Sequence, residues 1–176
     1  MEKDTILTIL WYEGIVMKQK NYDRPAAVAY AEKWALSRNP AYYNFDPVGG
    51  DCTNFVSQCL YAGAGVMNFT PDTGWYYRSP SDRAAAWTGV KYLYQFLTRN
   101  HSVGPYAHEV SASQVLPGDI IQLGSASGEF YHSLFITQTE PTILICAHTF
   151  DARNVPLFQY AWGQIRFLHI QGVRTW

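Results

Sequence analysis

What this chain lacks narrows it first. Its 13 Lys and Arg against 14 Asp and Glu leave a formal net charge of −1 over 176 residues. No basic stripe gathers along it, so binding to nucleic acid by phosphate neutralisation has no support. Cysteine is scarce, with three residues and no paired spacing, which argues against a disulfide framework or a CxxC zinc site. Long apolar runs are missing too. Ile6-Leu7 and Ile9-Leu10-Trp11 are interrupted or flanked by Glu2, Asp4 and Glu13, and no small-residue cleavage site follows. The first twenty residues therefore read as an amphipathic helix packing on the domain, neither a signal peptide nor a membrane span. As written, the chain carries no export signal and is expected in the cytoplasm, although a chain trimmed of its leader would look the same. No Pro/Gly/Ser linker divides it, so we expect one domain, monomeric and without a cofactor.

Aromatic residues are plentiful, at 16% with six Trp and thirteen Tyr, more than a small core requires, and some are expected to line a groove. From Asp23 to Arg38, Ala27, Tyr30, Ala31, Trp34 and Ala35 recur at helical spacing, with Pro25 in the first turn and Asn39-Pro40 beyond the end. A second helix starts at Cys52 and runs to about Ala62, with Gly63 as its stop. Residues Gly63 to Ser81 read as an irregular connection holding Trp75 and Tyr76, candidates for a substrate wall together with Tyr43. Ser81 to Asn100 returns to helical periodicity, capped by Ser81 or Asp82. After Pro105, short apolar runs take over at Ile120 to Leu123, Ser133 to Thr137, Thr142 to Thr149 and Ile165 to Ile170. Helices first and strands afterwards imply an α+β domain with a mostly antiparallel sheet.

The segment Gly49-Gly50-Asp51-Cys52-Thr53-Asn54 places a cysteine at the first turn of a helix. There the dipole and the unpaired N–H groups favour an anion, so a lowered thiol pKa and nearby oxyanion donors are expected. Asp51 suits the N-cap, and the glycines permit a sharp turn. The plainer alternative is a buried structural cysteine. Cys59 lies about 10 Å further along the helix axis, too far for a bridge, and reads as core.

A cysteine nucleophile needs an imidazole, and a third polar group to orient that ring. Of five histidines, His101 and His108 fall in a polar loop around Gly104-Pro105, and His169 falls near the end of the last strand. His132 and His148 stand at the edges of two strands joined by Gln138 to Pro141. A three-residue loop Thr139-Glu140-Pro141 would pair Leu134 with Cys146 and set His132 opposite His148, with Cβ atoms about 5 Å apart. A one-residue slip would separate them onto opposite faces. Two unrelated histidines, or a zinc site from Cys146, His148 and His132, are the alternatives; the latter lacks a fourth ligand.

Gly50-Asp51-Cys52-Thr53-Asn54-Phe55-Val56-Ser57-Gln58, Leu116-Pro117-Gly118-Asp119-Ile120-Ile121 and His132-Ser133-Leu134-Phe135-Ile136 resemble, in order, the nucleophile helix, leading strand and histidine strand of the NlpC-like cell-wall cysteine peptidases. The closer resemblance is to the bacterial putative amidase domain of that papain-like superfamily. It is carried also by Tyr22-Asp23-Arg24, Trp34, Asn39-Pro40, Trp87-Thr88, Ile145-Cys146-Ala147-His148-Thr149 and Ile165-Arg166-Phe167, and it spans residues 22 to 170.

The resemblance implies a papain-like fold with Cys52 as nucleophile and His132 as base. It places a polar orienting residue on the next strand, where this chain has His148, with Asp151 as the fallback. A tyrosine near the oxyanion site is matched at uncertain offset by Tyr42, Tyr43, Asn44 and Phe45. Asp51 and Thr53 flank the nucleophile as support. The activity implied is hydrolysis of amide bonds in peptidoglycan peptides at the cell envelope, through an acyl-enzyme. An acyltransferase with the same residues, or a silent peptide- or glycan-binding module, are the rival readings.

Overall fold

A computed structural model describes residues 16–176. The chain runs through β1 (Lys18–Lys20), α1 (Arg24–Trp34), α2 (Cys52–Ala64), β2 (Tyr77–Ser79), β3 (Asp82–Arg83), α3 (Ala85–Thr88) and α4 (Val90–Arg99). The strands β4 (Gly104–Val110), β5 (Ile120–Gly124), β6 (Phe130–Gln138), β7 (Leu144–Ala147), β8 (Ala152–Pro156) and β9 (Gln164–Thr175) follow. The domain is α+β. Its main sheet has the order β1-β9-β5-β6-β7-β8, with β4 also paired to β9, and all its pairings are antiparallel.

The long last strand makes this order possible. Residues 164–168 of β9 pair with β5, while 173–175 pair with β1 on the same edge, and β4 covers the other.

Alternation along the strands sorts the apolar residues into two cores. Ile120, Phe135 and Leu168 join Phe55, Leu60, Trp75 and Trp87 beneath the helices. Ile121, Leu134 and Ile136 join Leu123, Ile145 and Phe167 in a second cluster. Deep burial of β5 follows from having a core on each face and a strand on each edge.

Several expectations need correction. The helix expected over 81–100 is two pieces, because Gly89 is extended (φ −111°, ψ 124°); residues 82–83 pair as a strand instead of capping. Gly63 lies inside α2, packed on Tyr22, and the helix stops at left-handed Gly65 (φ 66°), whose N–H reaches the Tyr61 carbonyl at 2.8 Å. The loop expected around Pro105 is strand β4, with exposed His108 on it. An N-terminal helix would fall chiefly on residues 1–15, outside the described part, and Lys18–Lys20 form a strand. Helix α1 ends at Trp34, short of Arg38. Among the described residues, no helix is long and apolar enough to cross a membrane.

Candidate active site

The approach to α2 is built from two glycines in the left-handed region, Gly49 at φ 115° and Gly50 at φ 107°. They bring Asp51 N–H onto the Thr149 hydroxyl at 2.9 Å. Asp51 occupies the N-cap position, but its carboxylate makes no bond to the helix's first N–H groups, which corrects the expected capping role. Oδ1 instead accepts from Phe45 N–H at 2.9 Å and from Asn54 Nδ2 at 2.8 Å. Oδ2 accepts from His148 Nδ1 at 2.6 Å, with Arg38 Nε at 3.6 Å.

Cys52 opens α2, with its residue 8% exposed. The backbone N–H of Ser133 faces its sulfur, and Thr53 Oγ1 lies 3.7 Å from it. Burial pushes the thiol above its ordinary value, and these donors offset that only in part. The expected lowering by the helix start is thus outweighed by desolvation.

His132 immediately precedes Ser133, so the backbone beside it abuts the sulfur. Its ring stacks on Tyr160, centroids 6.1 Å apart. Burial pushes its pKa down to about 4, so the ring is neutral at physiological pH. Its Nε2 is buried without a hydrogen-bond partner, and no hydrogen bond joins it to Cys52 among the described residues.

The pairing of His132 with His148 is also corrected. Phe135 faces Cys146 and Ile136 faces Ile145, while a shift in register brings Gln138 opposite Leu144. The connection is thus five residues long where three were expected, and continuing the register would set His132 level with Thr149. This is the one-residue slip that moves side chains to the other face. The His148 ring stacks on Phe55 with centroids 4.0 Å apart. It is fully engaged, Nδ1 with Asp51 and Nε2 with the Trp34 carbonyl at 2.9 Å. Asp151 is likewise occupied, held by two nitrogens of Arg38 at 2.8 and 3.1 Å.

The groove candidates divide. Trp75 is fully buried, its Nε1 donating to Ser57 Oγ at 3.0 Å, so it is core and no substrate wall. Tyr76 packs against Phe69 and Arg78. Tyr43 is exposed, its ring edge-on to Phe45 and its carbonyl accepting from Asn54. A cavity of about 520 Å³ lined by Asn68, Tyr92, Gln95 and Arg99 includes none of the candidate residues.

Cys146 points to Asn154, and burial pushes its thiol up to about 11. Among the described residues no three His, Cys, Asp or Glu side chains are placed to hold a metal ion.

Sequence reasoning missed Arg38, which joins Asp46, Asp51 and Asp151. It also missed the partners of Asp119. This residue does tie its turn, accepting from Leu116 N–H, but it is fully buried and also binds Arg24, His169 and the Ile170 N–H. A buried carboxylate must find cationic or N–H partners; the signal was an acidic residue next to an apolar strand.

Comparison with known proteins gives the chain's family. Uncharacterized protein YhbB of Bacillus subtilis (strain 168) is 38% identical over 138 residues, covering 75% of this chain and 43% of that protein. Uncharacterized protein YjcM of the same organism is 28% identical over 146 residues, covering 78% of this chain and 33% of that protein. The chain thus spans less than half the length of these curated relatives. No solved structure matches it. A family model described as a putative amidase domain matches residues 21–170, a range that holds Cys52, His132 and His148 together with the strands and helices carrying them. The chain belongs to the putative amidase domain family, a membership that points to hydrolysis of amide bonds.

Proposed function

We propose that this chain is a cysteine amidase of papain-like, NlpC-type chemistry, acting on amide bonds of peptidoglycan peptides, with Cys52 as nucleophile and His132 as base. The observation that carries this reading is the Cys52 sulfur itself. It stands at the first residue of a helix, faces the Ser133 backbone, and so abuts the residue next to a neutral histidine with an unpartnered Nε2. A neutral imidazole can take a proton; His148, with acceptors at both nitrogens, has none to spare for another partner.

Transfer of the thiol proton to His132 generates the thiolate, which attacks the amide carbonyl. The diversion of Asp51 leaves the first-turn N–H groups of α2 without a side-chain cap, and they serve the oxyanion. His132 then returns its proton to the leaving amine, and water attacks the thioester with the same imidazole as base. His148 and Asp51 hold the start of α2. Substrate binding brings the His132 ring and the sulfur into their working contact, a tightening common in such sites. The peptidoglycan substrate and an envelope location rest on the resemblance to the NlpC-like peptidases.

The test is mass spectrometry of peptidoglycan fragments after incubation with wild type, Cys52→Ala and His132→Ala. Wild type releases new amine and carboxylate ends, and each variant loses at least about a thousandfold in rate. Undiminished cleavage by Cys52→Ala refutes the mechanism. Attachment of an added amine to the acyl product would make the chain a transferase.

A further inference from the structure

The geometry points to a one-way chain of buried hydrogen bonds, from Arg166 through Gln122 and Ser133 to Thr53, that turns the Thr53 hydroxyl proton onto the Cys52 sulfur. The inference rests on the reading of Cys52 as nucleophile and names residues that position the donor facing it.

The direction follows from donor and acceptor accounting. The Arg166 guanidinium lies between the rings of Tyr94 and Phe130, at 3.6 and 3.8 Å from their centroids. It can only donate, and its Nε reaches Gln122 Oε1 at 2.9 Å. That fixes the Gln122 amide with its nitrogen on the other side, where it donates to the Val90 carbonyl at 2.9 Å and to Ser133 Oγ at 3.3 Å. Ser133 is fully buried, and its own hydroxyl proton has one acceptor, Thr53 Oγ1 at 3.0 Å. Thr53 is 1% exposed, and with its oxygen accepting from Ser133, its proton has one remaining neighbour, Cys52 Sγ at 3.7 Å. Every hydroxyl in the series is polarised the same way, which strengthens the last donor.

A donor held on sulfur favours the thiolate and opposes the burial that disfavours it. The titratable groups around the sulfur are Asp51, which acts against the thiolate and is itself held by Arg38 and His148, and the neutral ring of His132 beside Ser133. None of them donates to the sulfur.

The experiment measures how Cys52 alkylation by iodoacetamide varies with pH, by peptide mass spectrometry of the full chain, with thermal unfolding in parallel. Ser133→Ala and Thr53→Val are each expected to slow labelling at pH 7.5 by about threefold or more and to move its midpoint to higher pH. Thr53→Ser restores the wild-type profile. Gln122→Glu replaces the donor to Ser133 with an acceptor and also gives up the bond to the Val90 carbonyl; it turns the Ser133 hydroxyl around and slows labelling although Arg166 still donates to residue 122. Unchanged midpoints in Ser133→Ala, Thr53→Val and Gln122→Glu overturn the inference, as does a Cys52 that fails to label at any pH. Amide hydrolysis that survives Cys52→Ala refutes the nucleophile instead, so the two failures are separate.

Discussion

Replacing Asp51 by Ala tests the first turn of α2 most directly. The carboxylate is buried, and its removal strands Phe45 N–H and His148 Nδ1. Asn54 Nδ2 keeps the Tyr43 carbonyl at 3.1 Å, and Arg38 keeps Asp46 and Asp151, so those two donors are not orphaned. An unsatisfied buried donor costs about 1–3 kcal/mol, and a buried pair broken on one side about 3–5 kcal/mol. Two stranded donors, one on the imidazole, therefore cost about 4 kcal/mol. At roughly 2–4 °C per kcal/mol for a domain of this size, Tm falls by about 10 °C. The assay is thermal and urea unfolding followed by circular dichroism, on Asp51→Ala, His148→Phe and the double variant. Phe in place of His148 preserves the stack on Phe55, so the double variant restores packing without a stranded ring nitrogen. A coupling of at least about 1.5 kcal/mol is expected. A Tm loss below about 2 °C for Asp51→Ala, or simple additivity in the cycle, refutes the pair as described.

His132 predicts a pH dependence of stability. Its pKa is about 4 in the fold against 6.5 in a free histidine, so between those values the unfolded chain takes up a proton that the folded chain refuses. Stability is complete above about pH 6.5 and falls by roughly 3 kcal/mol as pH drops towards 4. Urea midpoints across that range should be flatter for His132→Phe than for wild type; parallel curves would refute the origin assigned to the slope. Gly63→Ala reverses the usual helix rule. A Cβ there would press on the Tyr22 ring and come within 2.7 Å of the Asp23 carbonyl oxygen. A loss of about 1–3 kcal/mol is expected where a free helix would gain, and a raised urea midpoint would count against that packing.

Much of the scaffold was legible because its cause is local. Ala27 and Ala31 repeat at helical spacing and Pro25 suits a first turn, so α1 could be placed; the short apolar run through Ser133 to Thr137 placed β6. What escaped depends on partners far away in the chain. The end of α1 at Trp34 is coupled to the His148 ring that takes its carbonyl. The β6 to β7 register turns on a single residue, and a three-residue loop was as plausible on paper as the five-residue connection found. Trp75 sits in a segment that reads as irregular, yet its indole fits against Ser57 of α2. A thiol at a helix start reads as acidic until its burial is known, and burial is a property of the whole fold. Arg38, beyond the end of α1, gives no hint in sequence that three carboxylates converge on it.

Asp119 has a consequence for the order in which this domain is assembled during synthesis. Its two oxygens hold Arg24 of α1, Leu116 in the turn before β5, and His169 and Ile170 in β9. The cluster cannot close until residue 170 has left the ribosome. Until then the carboxylate is short of partners and the buried strand β5 has one edge open. The helix bearing Cys52 is complete long before the last strand that supports the sheet beneath it. The thiol is therefore made early and enclosed late: the nascent chain carries it while residues 53 to 170 are added, without the frame that shields it.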